Sequence, residues 1–257
     1  MCSRTTVPAG KFKSVTGSGE CATCEPGKFS TEEGAASDDV CESCPSNSFS
    51  GAGSSECSCN VGFAGSGGSC SACEAGKYKK SAGDSACLDC SAGTYASSSG
   101  SVECSGCPTN SNSEAGADTC DCDAGYTMVA GGSCAACTPG KFKSDAGSGP
   151  CEDCAAGDFS ARAGAIICHD CPSASHAEAG SAECLCDAGY TGSHESCSAC
   201  TPGSYKSDSG SGSCLQCQAG KFSAAAGAVD CSDCPSNSFS SLGAAVCDCN
   251  AGFTGEC

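Results

Sequence analysis

No stretch of this chain repeats its apolar residues every 3.6 positions for long enough to nucleate a helix. No apolar run approaches the roughly 20 residues of a membrane helix. What recurs is one aromatic side chain in each short segment bounded by cysteines. In three kinds of segment the ring lies five residues after the opening cysteine, and in a fourth kind four residues after it. The slots are Phe12, Phe29, Phe49 and Phe63, then Tyr78, Tyr95, Asn112 and Tyr126. They continue with Phe142, Phe159, His176 and Tyr190, and end with Tyr205, Phe222, Phe239 and Phe253. Fourteen of the sixteen slots are aromatic and hold every Phe and Tyr of the chain. A loop with one ring has one anchor and no core of its own. Each ring is therefore expected to pack on its loop's disulfide or on a neighbouring loop. Glycines precede the ring in three loop types (Gly76, Gly93, Gly125) and return late in three (Gly83, Gly100, Gly116). Glycine enters positive φ without a Cβ penalty. Each loop thus reads as a short hairpin-like excursion, with strands of two or three residues at most.

The loops fall into a larger repeat. An opening phrase returns as CEAGKYKKSAGDSAC, CTPGKFKSDAGSGPC and CTPGSYKSDSGSGSC. A second loop (CAAGDFSARAGAIIC), a Cys-Pro loop (CPSASHAEAGSAEC) and a Gly-Tyr/Phe loop (CDAGYTGSHESC) follow. The start of the chain is a further copy, with Val7 where a cysteine is expected and Cys2 displaced upstream. The sequence is thus four copies of a unit of about 64 residues, each with four loops. The expected repeats are 1–70, 71–134, 135–197 and 198–257. Without a signal-peptide pattern after Met1, and ending on Cys257, the chain reads as a slice of a longer protein.

Composition sharpens this picture. The 257 residues include 32 Cys and 36 Gly but no Trp. Cysteine above about 8–10% marks a cross-linked scaffold. With so few large apolar side chains, stability must come from staples rather than a large hydrophobic core. Disulfides persist in oxidising compartments, so the expected location is extracellular or cell-surface. The formal net charge of −18 argues against nucleic acid and anionic membrane surfaces as partners.

The cysteines form 15 doublets, eleven C-x-x-C and four C-x-C, with a single residue at each end. Pairing neighbouring doublets two to two would leave one doublet and two distant singles over. If each doublet sends one sulfur backward and one forward, nothing is left over. The expected pairs are then Cys2–Cys21, Cys24–Cys41, Cys44–Cys57, Cys59–Cys70, Cys73–Cys87, Cys90–Cys104, Cys107–Cys120 and Cys122–Cys134. They continue with Cys137–Cys151, Cys154–Cys168, Cys171–Cys184, Cys186–Cys197, Cys200–Cys214, Cys217–Cys231, Cys234–Cys247 and Cys249–Cys257. The count favours this sequential scheme, with two-to-two pairing as its alternative. Closing a loop of about 15 residues contributes roughly 3 kcal/mol in the chain-entropy model. The expected fold is a small disulfide-rich repeat protein: an extended rod of short β-hairpin-like loops with almost no helix. Two C-x-x-C doublets could also bind zinc. The C-x-C doublets, the regular rings and the scarcity of histidine speak against it. A thioredoxin-like redox motif is normally single and sits in an α/β domain.

The run CTPGSYKSDSGSGSC, CPSNSFSSLGAAVC and CDCNAGFTG resembles the EGF-like cysteine-rich module of ephrin-receptor ectodomains. The opening loop is also similar to the first small module of TNF-receptor repeats, which closes on itself; that likeness supports sequential pairing for this loop. The resemblance runs through essentially the whole chain. It implies an extracellular, elongated, disulfide-rich ectodomain of the kind found in large surface proteins, and carries no ligand specificity.

Active chemistry is scarce. His169, His176 and His194 form no constellation with a nucleophile and read as surface residues, with His176 expected to pack in its aromatic slot. No catalytic residue, cofactor or metal ligand is assigned. Glu42, Asp89, Asp153, Asp170 and Asp233 lie inside doublets and could offer oxygens to calcium. The consensus of calcium-binding EGF modules is missing, so calcium is not expected and a solvated face is the plainer reading. Asn47, Asn110 and Asn237 do not complete N-linked sequons. O-linked sugar suits serine runs such as Ser97–Ser99. Eight of the twelve basic residues lie in the first loop type: Lys11, Lys13, Lys77, Lys79, Lys80, Lys141, Lys143 and Lys206. They would form a weak positive band able to meet acidic stretches of neighbouring rods. The expected function is non-enzymatic: a structural segment of a surface filament, fibril or stalk, partnered by itself or by other extracellular filament proteins. The alternative is the protein-binding ectodomain stalk of a receptor or adhesin.

Overall fold

The structure is a computed structural model that describes residues 7–17, 19–193 and 196–254. It divides into two compact units, Met1–Asp121 and Cys122–Cys257. Among the described residues, every strand belongs to a two-stranded sheet, and there are fifteen such sheets. No sheet gains a third strand, so no layer forms that could enclose an apolar core. The sole helical element described is a single 3₁₀ turn, Asp38–Val40, in the second loop of the first copy.

Each hairpin joins the ring-bearing segment of a loop to the residues inside the next doublet. Tyr78 lies opposite Leu88, and Lys77 opposite Asp89. Phe142 lies opposite Glu152, and Lys141 opposite Asp153. Most strands have two residues, as their Gly-rich flanks dictate. The fourth loop type is longer than expected: Phe63–Ser66 pairs with Ser69–Ala72, and Tyr126–Val129 with Ser133–Ala136, four residues each. The reason is local. Gly67 and Gly68 have φ of 57° and 78°, a pair of positive values that matches the twist of a two-residue hairpin turn. The pairing therefore continues through the closing cysteine to the turn.

Fourteen disulfides are described, and they run in chain order. In the first unit they are Cys24–Cys41, Cys44–Cys57, Cys59–Cys70, Cys73–Cys87, Cys90–Cys104 and Cys107–Cys120. In the second they are Cys122–Cys134, Cys137–Cys151, Cys154–Cys168, Cys171–Cys184, Cys186–Cys197, Cys200–Cys214, Cys217–Cys231 and Cys234–Cys247. Each doublet thus sends one sulfur backward and one forward. Cys21 and Cys249 are also disulfide-bonded. Their expected partners, Cys2 and Cys257, lie outside the described residues.

The cystines are the core. Cys24, Cys59, Cys73, Cys90, Cys122, Cys137, Cys154, Cys200 and Cys217 are fully buried, with only a few small apolar residues such as Ala35 and Ala96 beside them. Val7 is also fully buried, where later copies have Cys73, Cys137 and Cys200. A β-branched apolar side chain thus replaces a half-cystine in the first copy.

The rings differ from expectation. None is buried: most are half-buried, and Phe49, Phe239 and Phe253 are exposed. The inward position is the residue after the ring. It is Lys13, Lys79, Lys143 or Lys206 in first loops, and Ser30, Ala96, Ser160 or Ser223 in second loops. Successive residues of a strand point to opposite sides, so an inward residue of this kind turns the ring before it partly outward. The exposed slots also explain the two departures from aromatic character. Asn112 and His176 both fall in the third loop type, where Phe49 and Phe239 are exposed too. A slot with little burial tolerates a polar residue.

Successive loops are tied through their backbones. The Gly140 N–H donates to the Ser160 carbonyl at 2.8 Å, and the Gly164 N–H to the Cys137 carbonyl at 2.8 Å. Gly140 has φ of 86°, and a Cβ there would collide with the Gly180 carbonyl two loops on. The same approach joins Gly76 to Gly116 and Gly203 to Gly243. Glycine is required by both the backbone angle and the contact.

Candidate functional site

The side chains most at variance with a bland surface are the lysines after the first-loop rings. Lys13, Lys79, Lys143 and Lys206 are only 3–8% exposed. The Lys143 ammonium donates to the carbonyls of Cys122 at 3.2 Å, Tyr126 at 2.9 Å and Gly147 at 2.5 Å. Lys206 repeats this with Cys186, Tyr190 and Gly210, at 3.4, 2.8 and 2.6 Å. Lys79 donates to Phe63 at 2.6 Å and to Gly83. Lys13 donates to the Gly19 carbonyl at 2.7 Å. Three donors meeting three carbonyls satisfy an ammonium without a counter-charge, and this is how a lysine survives burial. In the last three copies the clamp joins the fourth loop of one copy to the first loop of the next. These four lysines therefore cannot contribute to an external positive band. The band expected from sequence is reduced to Lys11, Lys77, Lys80 and Lys141.

Three further lysines are paired with acids within their own hairpins. Lys77 lies 2.9 Å from Asp89, Lys141 2.5 Å from Asp153, and Lys221 2.7 Å from Asp233. In each case the two residues are directly opposite in the strand register. The hydrogen bond to Asp89 and its charge hold the Lys77 ammonium above the usual lysine range, and Asp233 does the same for Lys221. At the corresponding place in the loop Cys154–Cys168, two acids meet: Asp158 opposes Asp170. Desolvation, then a hydrogen bond with Asp170 and its charge, raise the Asp158 carboxyl above the usual range. Glu42 lies opposite Phe29 and is exposed. Among the described residues no group of three or more His, Cys, Asp or Glu side chains is placed to hold a metal ion.

The histidines do not converge. His169 is exposed opposite Phe159, with ring centroids 6.3 Å apart. His176 does not pack as a ring in its slot. It is exposed, and its Nδ1 lies 2.6 Å from Asp187 Oδ1. His194 lies outside the described residues.

Two features were missed by reasoning from sequence. The buried lysines had a signal: a Lys directly after the ring in every first loop, at a position that strand alternation turns inward. The second feature is the third residue after the opening cysteine of the Cys-Pro loops. Asn47, Asn110 and Asn237 have φ of 60–66°, as does Ala174 with 60°. Asparagine tolerates this region and there takes the part glycine plays in the other loops. Its signal was C-P-x-N in three of the four copies.

A family model for tyrosine-protein kinase ephrin type A/B receptor-like repeats matches residues 62–107 and 188–234. Each match begins at a fourth loop, at Gly62 or one residue before Gly189, crosses a buried-lysine clamp and covers the next first and second loops. No curated protein matches the chain. No helix among the described residues is long and apolar enough to cross a membrane. Both matched segments have the same clamp, hairpins and sequential cystines, and they are similar to cysteine-rich repeats of the ephrin-receptor-like type.

Proposed function

We propose that this chain is a non-enzymatic structural segment of an extracellular filament, fibril or stalk, made stiff by sequential cystines. The observation that carries the reading is the return of one joint. Lys79, Lys143 and Lys206 tie the fourth loop of a copy to the first loop of the next through the same backbone carbonyls. A joint that returns at the same place in three copies suits a part whose task is to hold a fixed spacing, because equivalent contacts recur along it. The density of disulfides supports an oxidising, extracellular setting. The receptor-like family match favours a second reading, a protein-binding ectodomain stalk. Electron microscopy of native, non-reduced material tests the choice. Ordered fibres with a period matching a few repeats are expected. Thin, separate particles would overturn the filament reading in favour of the stalk.

A further inference from the structure

One loop departs from its equivalents in charge and in polarity together. In the loop Cys154–Cys168, Arg162 stands two residues before Gly164, where the second and fourth copies have Ser98 and Ala225. Ile167 precedes the closing cysteine, where those copies have Glu103 and Asp230. At these two positions the loop gains a positive charge and loses a negative one in a chain of net charge −18, while Asp158 adds an acid where those copies have Thr94 and Lys221. Arg162 is exposed. Ile166 and Ile167 are 52% and 55% exposed. With Phe159 and His169 they line an open cleft of about 490 Å³. Among the described ion pairs none involves Arg162. The hairpin's own acids, Asp158 and Asp170, face each other instead.

We propose that this cleft is a docking site for a second copy of the chain, which inserts a valine–acid edge, Val102–Glu103 or Val229–Asp230. The edges are complementary in both respects. Val102 and Val229 are 44% and 53% exposed, and each adjoins an exposed acid. They occupy the places that Ile166 and Ile167 take in the cleft's own loop, so donor and acceptor are equivalent elements of different repeats. The valine covers the isoleucines, and Arg162 meets the carboxylate. A solvent-exposed pair adds little by itself, and the buried apolar surface supplies most of the attraction. Because cleft and edge are different surfaces, the contact is head-to-tail and need not close, which generates open assemblies. This inference rests on the filament reading and names the contact that reading requires.

The test is sedimentation of the oxidised 257-residue chain across concentration at low and high salt. A free-thiol assay reading zero for each variant confirms the cross-linked fold. Wild type is expected to self-associate, less so at high salt. Arg162→Glu with Ile167→Glu is expected to weaken association by about tenfold or more. Arg162→Glu alone is expected to regain association when combined with Glu103→Arg and Asp230→Arg. A wild-type chain that stays monomeric throughout, or a double variant that associates like wild type, overturns the docking site. If native material is fibrous in the microscope while either result holds, the filament reading survives and only this contact is wrong. Separate native particles would overturn the filament reading itself.

Discussion

A lysine buried among carbonyls is stable only while all its donors are used. Lys143→Met keeps the length of the stem and removes the ammonium, leaving the carbonyls of Cys122, Tyr126 and Gly147 without that donor. Loss of about 1–3 kcal/mol is expected in denaturant unfolding of the oxidised chain. Replacing the exposed Lys80 in the same way should change nothing measurable. Ala174 illustrates the opposite case. At φ of 60° it occupies a region that costs a Cβ-bearing residue about 1–2 kcal/mol, so Ala174→Gly is expected to raise the unfolding midpoint. Gly140→Ala should do the reverse, because it adds both the left-handed penalty and a collision with Gly180. The ring slots and the turn glycines were legible as spacing. The direction each side chain takes was not, since the inward position is the ring's neighbour and only strand pairing reveals it.

The hairpin is the unit at which charge is organised. Facing Lys–Asp pairs recur at Lys77–Asp89, Lys141–Asp153 and Lys221–Asp233, whereas Asp158 faces Asp170. Like charges directly opposite one another oppose pairing. The Asp158 carboxyl is held above its ordinary value in the fold, so the folded state binds this proton more tightly than the unfolded chain. Its contribution therefore favours folding on acidification and turns against folding as pH rises through the raised value. Asp158→Lys is expected to raise the melting temperature at neutral pH and to flatten this pH dependence between mildly acidic and neutral conditions. An unchanged pH profile in the variant would show that the pair carries no such linkage. The doublet acids were visible in the sequence. Their partners were not, because register decides which lysine each one meets.

For the whole molecule, cross-links take the place of an apolar interior. Among the described residues the largest fully buried side chains are half-cystines and Val7, and no sheet exceeds two strands. An isolated two-stranded hairpin is marginal in water. Reduction of all disulfides under otherwise native conditions is therefore expected to abolish amide protection in both units. Persistent protection in any hairpin would mean that hydrogen bonds and lysine clamps suffice without the cystines.

The sequence by itself determined the repeat, the loop lengths, the near absence of helix and the reliance on cysteine. These follow from spacing and composition, which act locally along the chain. The likeness to ephrin-receptor-type modules was likewise readable from the order of Cys, Gly and aromatic residues. Only the tertiary structure decided that half of the first-loop lysines are internal, that the rings lie half outside, and that Gly140 must meet Gly180. The cleft formed by Arg162, Ile166 and Ile167 also emerged only there. These depend on which side of a two-residue strand faces the next loop, a choice made by hydrogen bonding between loops rather than within them.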